Sequence, residues 1–317
     1  MKGKYYFLVG DSTSGKTFFS MTCMAEATRN ENFKDYDLIY DNVEDGMLMD
    51  IQRLFGAEVE RRIEPPSTDD DGLPVYSETI EEFYYHLDDR IKTGRPFIYV
   101  LDSMDGLSSE AEGKKFGEQK KAHRGGKESK GSYGDGKAKK NSSGLRKALS
   151  GIRDTGSILI IIAQTRDILD AQMFGPKKTR SGGHALKFYA TAEIWTALGG
   201  QIKRQVRGRQ RKIGDKIRIR LKKNRVTGKL HEVWAAIYPS YGVDDIGSNI
   251  DYLLAEKWWT KAGQTVKAKE FDLELQREKL VREIESSPKK VTRLQRIVGR
   301  CWKEIEDACA LDREGRY

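Results

Sequence analysis

Gly10-Asp11-Ser12-Thr13-Ser14-Gly15-Lys16-Thr17 fits the pattern G-x-x-x-x-G-K-[S/T]. Its flanks place it where that pattern carries meaning. Ahead of it, Lys4 to Val9 is a short apolar run of strand type, and after it Thr17 to Thr28 has helical composition. A glycine-rich turn between strand and helix lets successive backbone N–H groups curl around phosphate oxygens, while the helix N-terminus faces the same anion. Lys16 would set a cation between the β- and γ-phosphates, and the Thr17 hydroxyl would ligate Mg²⁺. Gly10 to Phe18 is therefore expected to hold ATP.

Further along, Phe97-Ile98-Tyr99-Val100-Leu101 is a continuous apolar run ending in Asp102. Such a run suits a parallel strand buried on both faces. A lone aspartate after a strand is commonly a helix cap. About 85 residues beyond a phosphate loop, however, it is the acid expected beside Mg²⁺. Ser157 to Ala163 reads as a second buried strand and Asp37 to Tyr40 as another, with helices expected over 50–55, 79–91 and 144–153. Strand and helix alternate, which predicts an α/β fold with a mostly parallel central sheet flanked by helices. After residue 185, Lys216 to Leu221 alternates basic and apolar, and His231 to Tyr238 returns past Val226-Thr227-Gly228-Lys229, which predicts a β-hairpin. Asn249 to Glu256 looks helical, and from Lys267 the chain reads as two amphipathic terminal helices broken at Ser286-Ser287-Pro288.

Hydrophobic residues make up 38% of the 317, enough for a core, and no run approaches the ~18 apolar residues of a membrane span. Met1 to Val9 reads as a first strand, not a signal peptide. Cys23, Cys301 and Cys309 have no metal-ligand spacing, which fits a reduced, cytoplasmic protein. The net charge of +9 is unevenly spread. Residues 113 to 147 hold 12 Lys/Arg against 3 acids, and residues 201 to 229 hold 13 against one. The rest of the chain has 32 basic and 44 acidic residues. Charge runs are often only solvated loops, but two basic segments on an otherwise acidic chain point at a polyanion. Residues 113 to 147, with eight glycines and no sustained apolar pattern, form the longest stretch expected to lack structure.

Several segments together resemble the RecA-type recombinases. Ser157 to Arg166 looks like the strand that ends in that family's nucleotide-sensing glutamine, here Gln164. Met173-Phe174-Gly175-Pro176 and Ser181-Gly182-Gly183-His184-Ala185-Leu186-Lys187-Phe188-Tyr189-Ala190 resemble its second DNA loop and the following helix. Lys223-Asn224-Arg225 resembles its basic K-N-K, and Tyr241 to Gly263 the end of its core. The similarity covers roughly residues 5 to 265. It implies a RecA-like core over 1–265 that includes the hairpin extension, followed by a charged helical extension over 266–317.

The resemblance assigns roles. Gln164 would couple the γ-phosphate to DNA. Glu44 is the candidate for polarising the attacking water, with Asp41 as the alternative because the family's D-x-E becomes Asp41-Asn42-Val43-Glu44. Lys223 and Arg225 would reach the ATP of a neighbouring subunit, acting like arginine fingers; otherwise they belong only to the basic hairpin. Residues 113–147 and 165–183 fall where the family has its two DNA loops. Lys114, Lys115, Lys137, Lys139 and Lys140 are DNA-contact candidates in the first. Arg166, Met173, Phe174, Lys177, Lys178, Arg180, Gly182 and Gly183 are candidates in the second. Basic glycine-rich loops can track a phosphate backbone without reading sequence. The phosphate loop begins at Gly10, so the docking helix and strand that the family carries ahead of it are expected to be absent. Ile51 falls where the family has an adenine-stacking tyrosine.

The expected function is that of a DNA-dependent ATPase using ATP and Mg²⁺. It would self-assemble as a filament or ring on single-stranded DNA and promote strand exchange or annealing. Duplex DNA could serve as second strand and a single-strand-binding protein as a further partner, with no membrane. A hexameric helicase motor and an ATP-gated DNA-binding mediator with negligible hydrolysis are the alternatives.

Overall fold

In a computed structural model of the protein, residues 1–124, 136–167, 178–180 and 183–313 are described. By contact density the chain forms two units: Met1–Gly199 with Ile217–Glu232, and Gly200–Lys216 with Val233–Tyr317. The chain begins β1 (Lys4–Gly10), α1 (Lys16–Thr28), β2 (Asp37–Asn42), α2 (Ile51–Phe55), α3 (Ala57–Arg62) and β3 (Ile63–Glu64). A small ribbon of β4 (Ser67–Thr68) and β5 (Pro74–Val75) precedes α4 (Ile80–Lys92) and β6 (Phe97–Asp102). Then come α5 (Glu110–Arg124), α6 (Gly136–Thr155), β7 (Ile158–Asp167), β8 (Lys178–Arg180) and α7 (Gly183–Tyr189). Strands β9 (Ala192–Val206), β10 (Arg209–Asn224), β11 (Glu232–Tyr238) and β12 (Gly242–Asp244) follow.

The sheet of the first unit runs β10-β9-β1-β7-β6-β2-β3. From β9 to β3 its neighbours are parallel, as the buried apolar runs predict. Period-two alternation sends Phe7, Tyr99 and Ile161 to one face and Leu8, Val100 and Ile160 to the other. On the first face, α4 buries Ile80, Phe83 and Leu87, and α6 buries Leu145, Ala148 and Ile152. On the second, α1 contributes Met21, Met24 and Ala27. Helix α4 starts at a capping box, Thr79 accepting from the Glu82 amide while Glu82 reaches back. That reciprocal pair satisfies amides the helix leaves free.

The expectation that residues 113–147 lack structure is overturned over most of their length, because α5 reaches Arg124 and α6 starts at Gly136. Residues 125–135 lie outside the described residues. Gly144 explains part of the misreading. A Cβ there would collide with the Tyr84 ring on α4, as one at Gly151, just beyond the segment, would with Ile91. These two glycines let α6 approach α4 closely instead of loosening the chain, whereas Gly113 and Gly117 of α5 have nothing within 4 Å of a would-be Cβ.

The second unit holds α8 (Asp245–Ala255), a three-stranded sheet of β13 (Thr260–Ala262), β14 (Thr265–Ala268) and β15 (Leu273–Gln276), and helices α9 (Arg277–Glu285) and α10 (Pro288–Ala308). The helix expected from Lys267 is corrected here. Two strands come first, and Val266 and Ala268 face inward with Trp259, Leu280 and Leu294. Trp258 and Trp259 both donate their indole N–H to Glu270, which anchors this segment.

Candidate nucleotide site

Strand register puts the site's residues in a row. Gly10 at the end of β1 pairs with Gln164 of β7 on one side and Thr196 of β9 on the other. Asn42 pairs with Asp102 two strands further on. The row lies at the carboxyl ends of parallel strands, where open α/β sheets bind ligands.

The loop's geometry explains its glycines. Gly15 caps α1 with φ of 81°, a left-handed conformation that favours glycine. At Gly10 a side chain would run into Thr196 and Ser14. Ser14 Oγ is fixed by the Asp11 carbonyl and the Thr196 hydroxyl, both at 2.7 Å. Lys16 is buried and donates to the Gly10 and Asp11 carbonyls at 3.1 and 2.7 Å. Burial pushes its pKa down, against the charges of Asp102, Glu44, Asp105 and Asp11, which push it up. Phe18, by contrast, packs against Phe55 at 5.9 Å between ring centres.

Thr17 Oγ1 donates to Asp102 Oδ2 at 2.7 Å, and the Tyr40 hydroxyl donates to the same oxygen at 2.6 Å. Burial and the Asp102 charge push the Tyr40 phenol well up, so it stays a donor. Among the described residues no group of three or more His, Cys, Asp and Glu could cage a metal. A hydroxyl beside one carboxylate is nonetheless a hard-oxygen set that fits Mg²⁺. That ion prefers few protein oxygens, completed by phosphate and water.

Glu44 accepts from the Ser103 hydroxyl and from Gln164 Nε2, the latter at 3.3 and 3.2 Å to its two oxygens. The Gln164 amide N–H is held by Asp105 at 2.6 Å, and the Thr165 hydroxyl donates to Asp11. Asp41 is fully buried, accepting from the Ser77 amide and hydroxyl at 3.0 and 2.6 Å and from Tyr99 at 2.8 Å. Burial pushes its pKa up, opposed by those hydrogen bonds. It is Glu44 that meets Gln164 and Ser103, while Asp41 braces the core. Ile51 begins α2 and packs against the core on the α1 face of the sheet.

The basic candidates scatter. Lys114 and Lys115 lie on α5, and Lys137, Lys139 and Lys140 on the first turns of α6. Lys137 pairs with Glu112 at 3.0 Å and Lys140 with Glu81 at 3.1 Å, while Lys114 and Lys139 are exposed. In the second loop, Arg166 pairs in register with Thr179, and β8 carries Lys178 and Arg180 beside β7. Met173, Phe174, Lys177 and Gly182 lie outside the described residues. Gly183 opens α7 with φ of 79°. Lys223 donates to the Lys187 and Phe188 carbonyls at 2.5 and 2.7 Å, and Arg225 donates to that of Phe188. Both cations thus sit at the last turn of α7, where a helix presents its negative end.

Five residues of the site escaped the sequence reading: Tyr40, Ser103, Asp105, Thr165 and Thr196. Ser103 and Thr165 directly follow Asp102 and Gln164, and Asp105 lies three residues past Asp102, so position alone could have found them. Thr196 has no such signal; only the pairing of β9 with β1 reveals it. No helix among the described residues is long and apolar enough to cross a membrane.

With this geometry in hand, three comparisons are informative. The family described as RecA N-terminal domain matches residues 1–244. "Protein RecA" of Cytophaga hutchinsonii is 29% identical over 255 residues, which is 79% of this chain and 62% of that protein. "Protein RecA" of Lactobacillus acidophilus is 26% identical over 314 residues, 99% of this chain and 77% of that protein. The chain therefore aligns with less than two thirds of the Cytophaga protein's length.

Proposed function

This chain belongs to the RecA family, and from that premise we propose that it is an ATPase activated by single-stranded DNA. In this reading it assembles with copies of itself, as a filament or ring, and promotes ATP-dependent pairing or exchange of strands. Duplex DNA serves as the second strand, and a single-strand-binding protein is a further partner. The observation that carries the reading is the hydrogen bonding of Gln164 to Glu44. It supports a direct link between the phosphate site and the segment 165–183 that follows β7.

Lys16 and the backbone from Gly10 to Thr17 bind the phosphates, and Lys16 exchanges two loop carbonyls for phosphate oxygens. Thr17 and Asp102 would hold Mg²⁺, which when bound neutralises charge on the phosphates. Glu44 orients the attacking water and takes its proton, with Ser103 fixing its carboxylate. Gln164 exchanges its bond to Glu44 for one to the γ-phosphate, and thereby moves the strand end that leads to the DNA segment. Lys223 and Arg225 act on the nucleotide of a neighbouring copy.

The test is ATP hydrolysis with and without single-stranded DNA over a range of protein concentrations. Stimulation, with activity per subunit rising with concentration, is expected. Hydrolysis indifferent to both would remove the DNA-coupled reading and leave only a nucleotide-binding protein.

A further inference from the structure

Beyond the nucleotide site, the second unit carries a structural feature that the proposed function does not use. Strands β9 and β10 continue as a two-stranded ribbon whose ten residues Lys203 to Lys212 are all exposed. Six of the ten are cations and none is an acid. Four residues per strand, closed by a two-residue turn, give a projection of about 14 Å at the usual rise of a strand.

Two residues close the ribbon, Arg207 with φ of 49° and Gly208 with φ of 74°. Two left-handed residues in succession mark the tight hairpin turn that matches strand twist. Its first position favours asparagine, aspartate or glycine; arginine there costs about 1 kcal/mol or more. A guanidinium therefore stands at the tip despite local preference.

A two-residue turn sets Val206 opposite Arg209, Gln205 opposite Gln210, Arg204 opposite Arg211 and Lys203 opposite Lys212. Like charges directly opposite destabilise a ribbon. Counter-charges are sparse. Arg204 lies 3.9 Å from Glu278, and Lys212 pairs with Asp215 at 2.8 Å. Among the described residues Lys203, Arg207, Arg209 and Arg211 have no acid within ion-pair distance. Alternation puts Arg204, Arg209 and Arg211 on one face of the ribbon and Lys203 and Lys212 on the other. Both faces and the tip are thus cationic.

We propose that the ribbon from Lys203 to Lys212 is a binding arm for duplex DNA that enters the major groove and contacts the phosphates on both of its walls. The two-sided charge selects this partner. A single strand, or a flat anionic surface, would engage one face and leave the other repelling itself. The major groove is about 12 Å wide and 8.5 Å deep, admits a two-stranded ribbon, and has a phosphate backbone along each side. The two glutamines lie between the lysines and the tip, at the level where an inserted ribbon meets base edges. The contacts are dominated by phosphate, so the arm holds duplex with little regard to sequence.

This inference does not depend on ATP hydrolysis, and its test is made without nucleotide. Binding of the full chain to a fluorescent 30-base-pair duplex and to a single strand of the same length would be followed by anisotropy from about 50 to 200 mM salt. Two variants separate the faces: Arg207→Gln/Arg209→Gln/Arg211→Gln, and Lys203→Gln/Lys212→Gln. The first should weaken duplex binding on the order of tenfold or more and make the salt slope shallower by about three. The second should weaken it too, with the slope falling by about two. Single-strand affinity and DNA-free ATP hydrolysis should stay as in the unaltered chain. The altered side chains of the first variant are exposed and have no acid partner, so its melting temperature should not fall; the second loses the Lys212–Asp215 pair and should fall only slightly. Duplex affinity that survives both variants overturns the proposal. So does an equal loss for single strand and duplex, or a loss confined to one face. If polyglutamate of equal charge displaces the chain from duplex as well as competing DNA does, the arm binds acidic protein and the proposal is likewise overturned.

Discussion

The side-chain amide of Gln164 donates to both carboxylate oxygens of Glu44, at 3.3 and 3.2 Å, although 120 residues separate them in the chain. The two come from different strand ends, so the bond exists only while β7 and the segment after β2 keep their relative positions. If the contact couples hydrolysis to DNA, its two partners should fail differently. Glu44→Gln should lower turnover by about 10²–10⁴-fold with ATP affinity kept, the range expected for loss of a general base. Gln164→Ala should keep the basal rate and lose stimulation by single-stranded DNA. Steady-state hydrolysis alongside nucleotide binding distinguishes the two. Turnover that is untouched in Glu44→Gln would point to an ATP-gated binding protein instead.

Lys16 makes a second claim testable. Its ammonium is buried against two carbonyls, and burial lowers its pKa despite four nearby carboxylates. Between the lowered value and the ordinary lysine value the unfolded chain holds a proton that the folded chain lacks. Across that alkaline window stability from this residue therefore rises with pH, and below it the charged form costs stability. Removing the group should not weaken the nucleotide-free protein, whereas bound phosphate should stabilise it. Thermal unfolding checks this. ATP with Mg²⁺ at 100 times its dissociation constant should add about 2.7 kcal/mol to the unaltered chain. It should add nothing to Lys16→Ala, whose nucleotide-free melting point should match or exceed that of the parent. A large drop in the latter would assign Lys16 a structural role instead.

The phosphate loop, Asp102 and the strands around them were legible because each is local: a motif, a buried apolar run, an acid at its end. Gln164 and Glu44 were legible only by resemblance, since a glutamine or glutamate ending a strand is unremarkable on its own. Thr196 was invisible because it depends on the register of β9 against β1, a pairing nearly 190 residues apart in sequence. The segment 113–147 misled for a different reason. Glycine spacing and lysine density mimic a loop, while the apolar stripe of Leu145, Ala148 and Ile152 is short and begins only near its end. β14 and β15 were hidden in the same way, by charged residues alternating on the exposed sides of short strands.

Gly144 turns that misreading into a measurement. A methyl group there meets the Tyr84 ring, so Gly144→Ala should destabilise by about 1–3 kcal/mol through overpacking of α6 against α4. Gly113 lies in helix α5 with nothing within 4 Å of its would-be Cβ. Gly113→Ala should then stabilise α5 by up to about 1 kcal/mol, from helix propensity alone. Opposite signs in denaturant unfolding are expected; equal effects would mean that Gly144 is no close-packing position.

Lys223 and Arg225 present two readings that a mixing experiment separates. Within one chain they hold the Lys187 and Phe188 carbonyls, and the Arg225 guanidinium lies 5.6 Å from the Phe188 ring centre. On that basis alone they secure the end of α7, the helix that follows residues 165–183. If they also act on a neighbour's nucleotide, Arg225→Ala should cut DNA-stimulated hydrolysis by about 10³-fold or more, with ATP binding kept. A cap and a finger could both lower activity, so the single variant does not discriminate. Lys16→Ala lacks a working phosphate site but still offers its cations, and Arg225→Ala has the site but not the arginine. Mixed on single-stranded DNA, the two inactive chains should regain part of the lost activity, with the greatest gain near equal amounts. A finger working across a boundary can be supplied by a different chain, whereas a helix cap cannot. No recovery at any ratio, with both variants still co-assembling on DNA, would confine Arg225 to the end of α7.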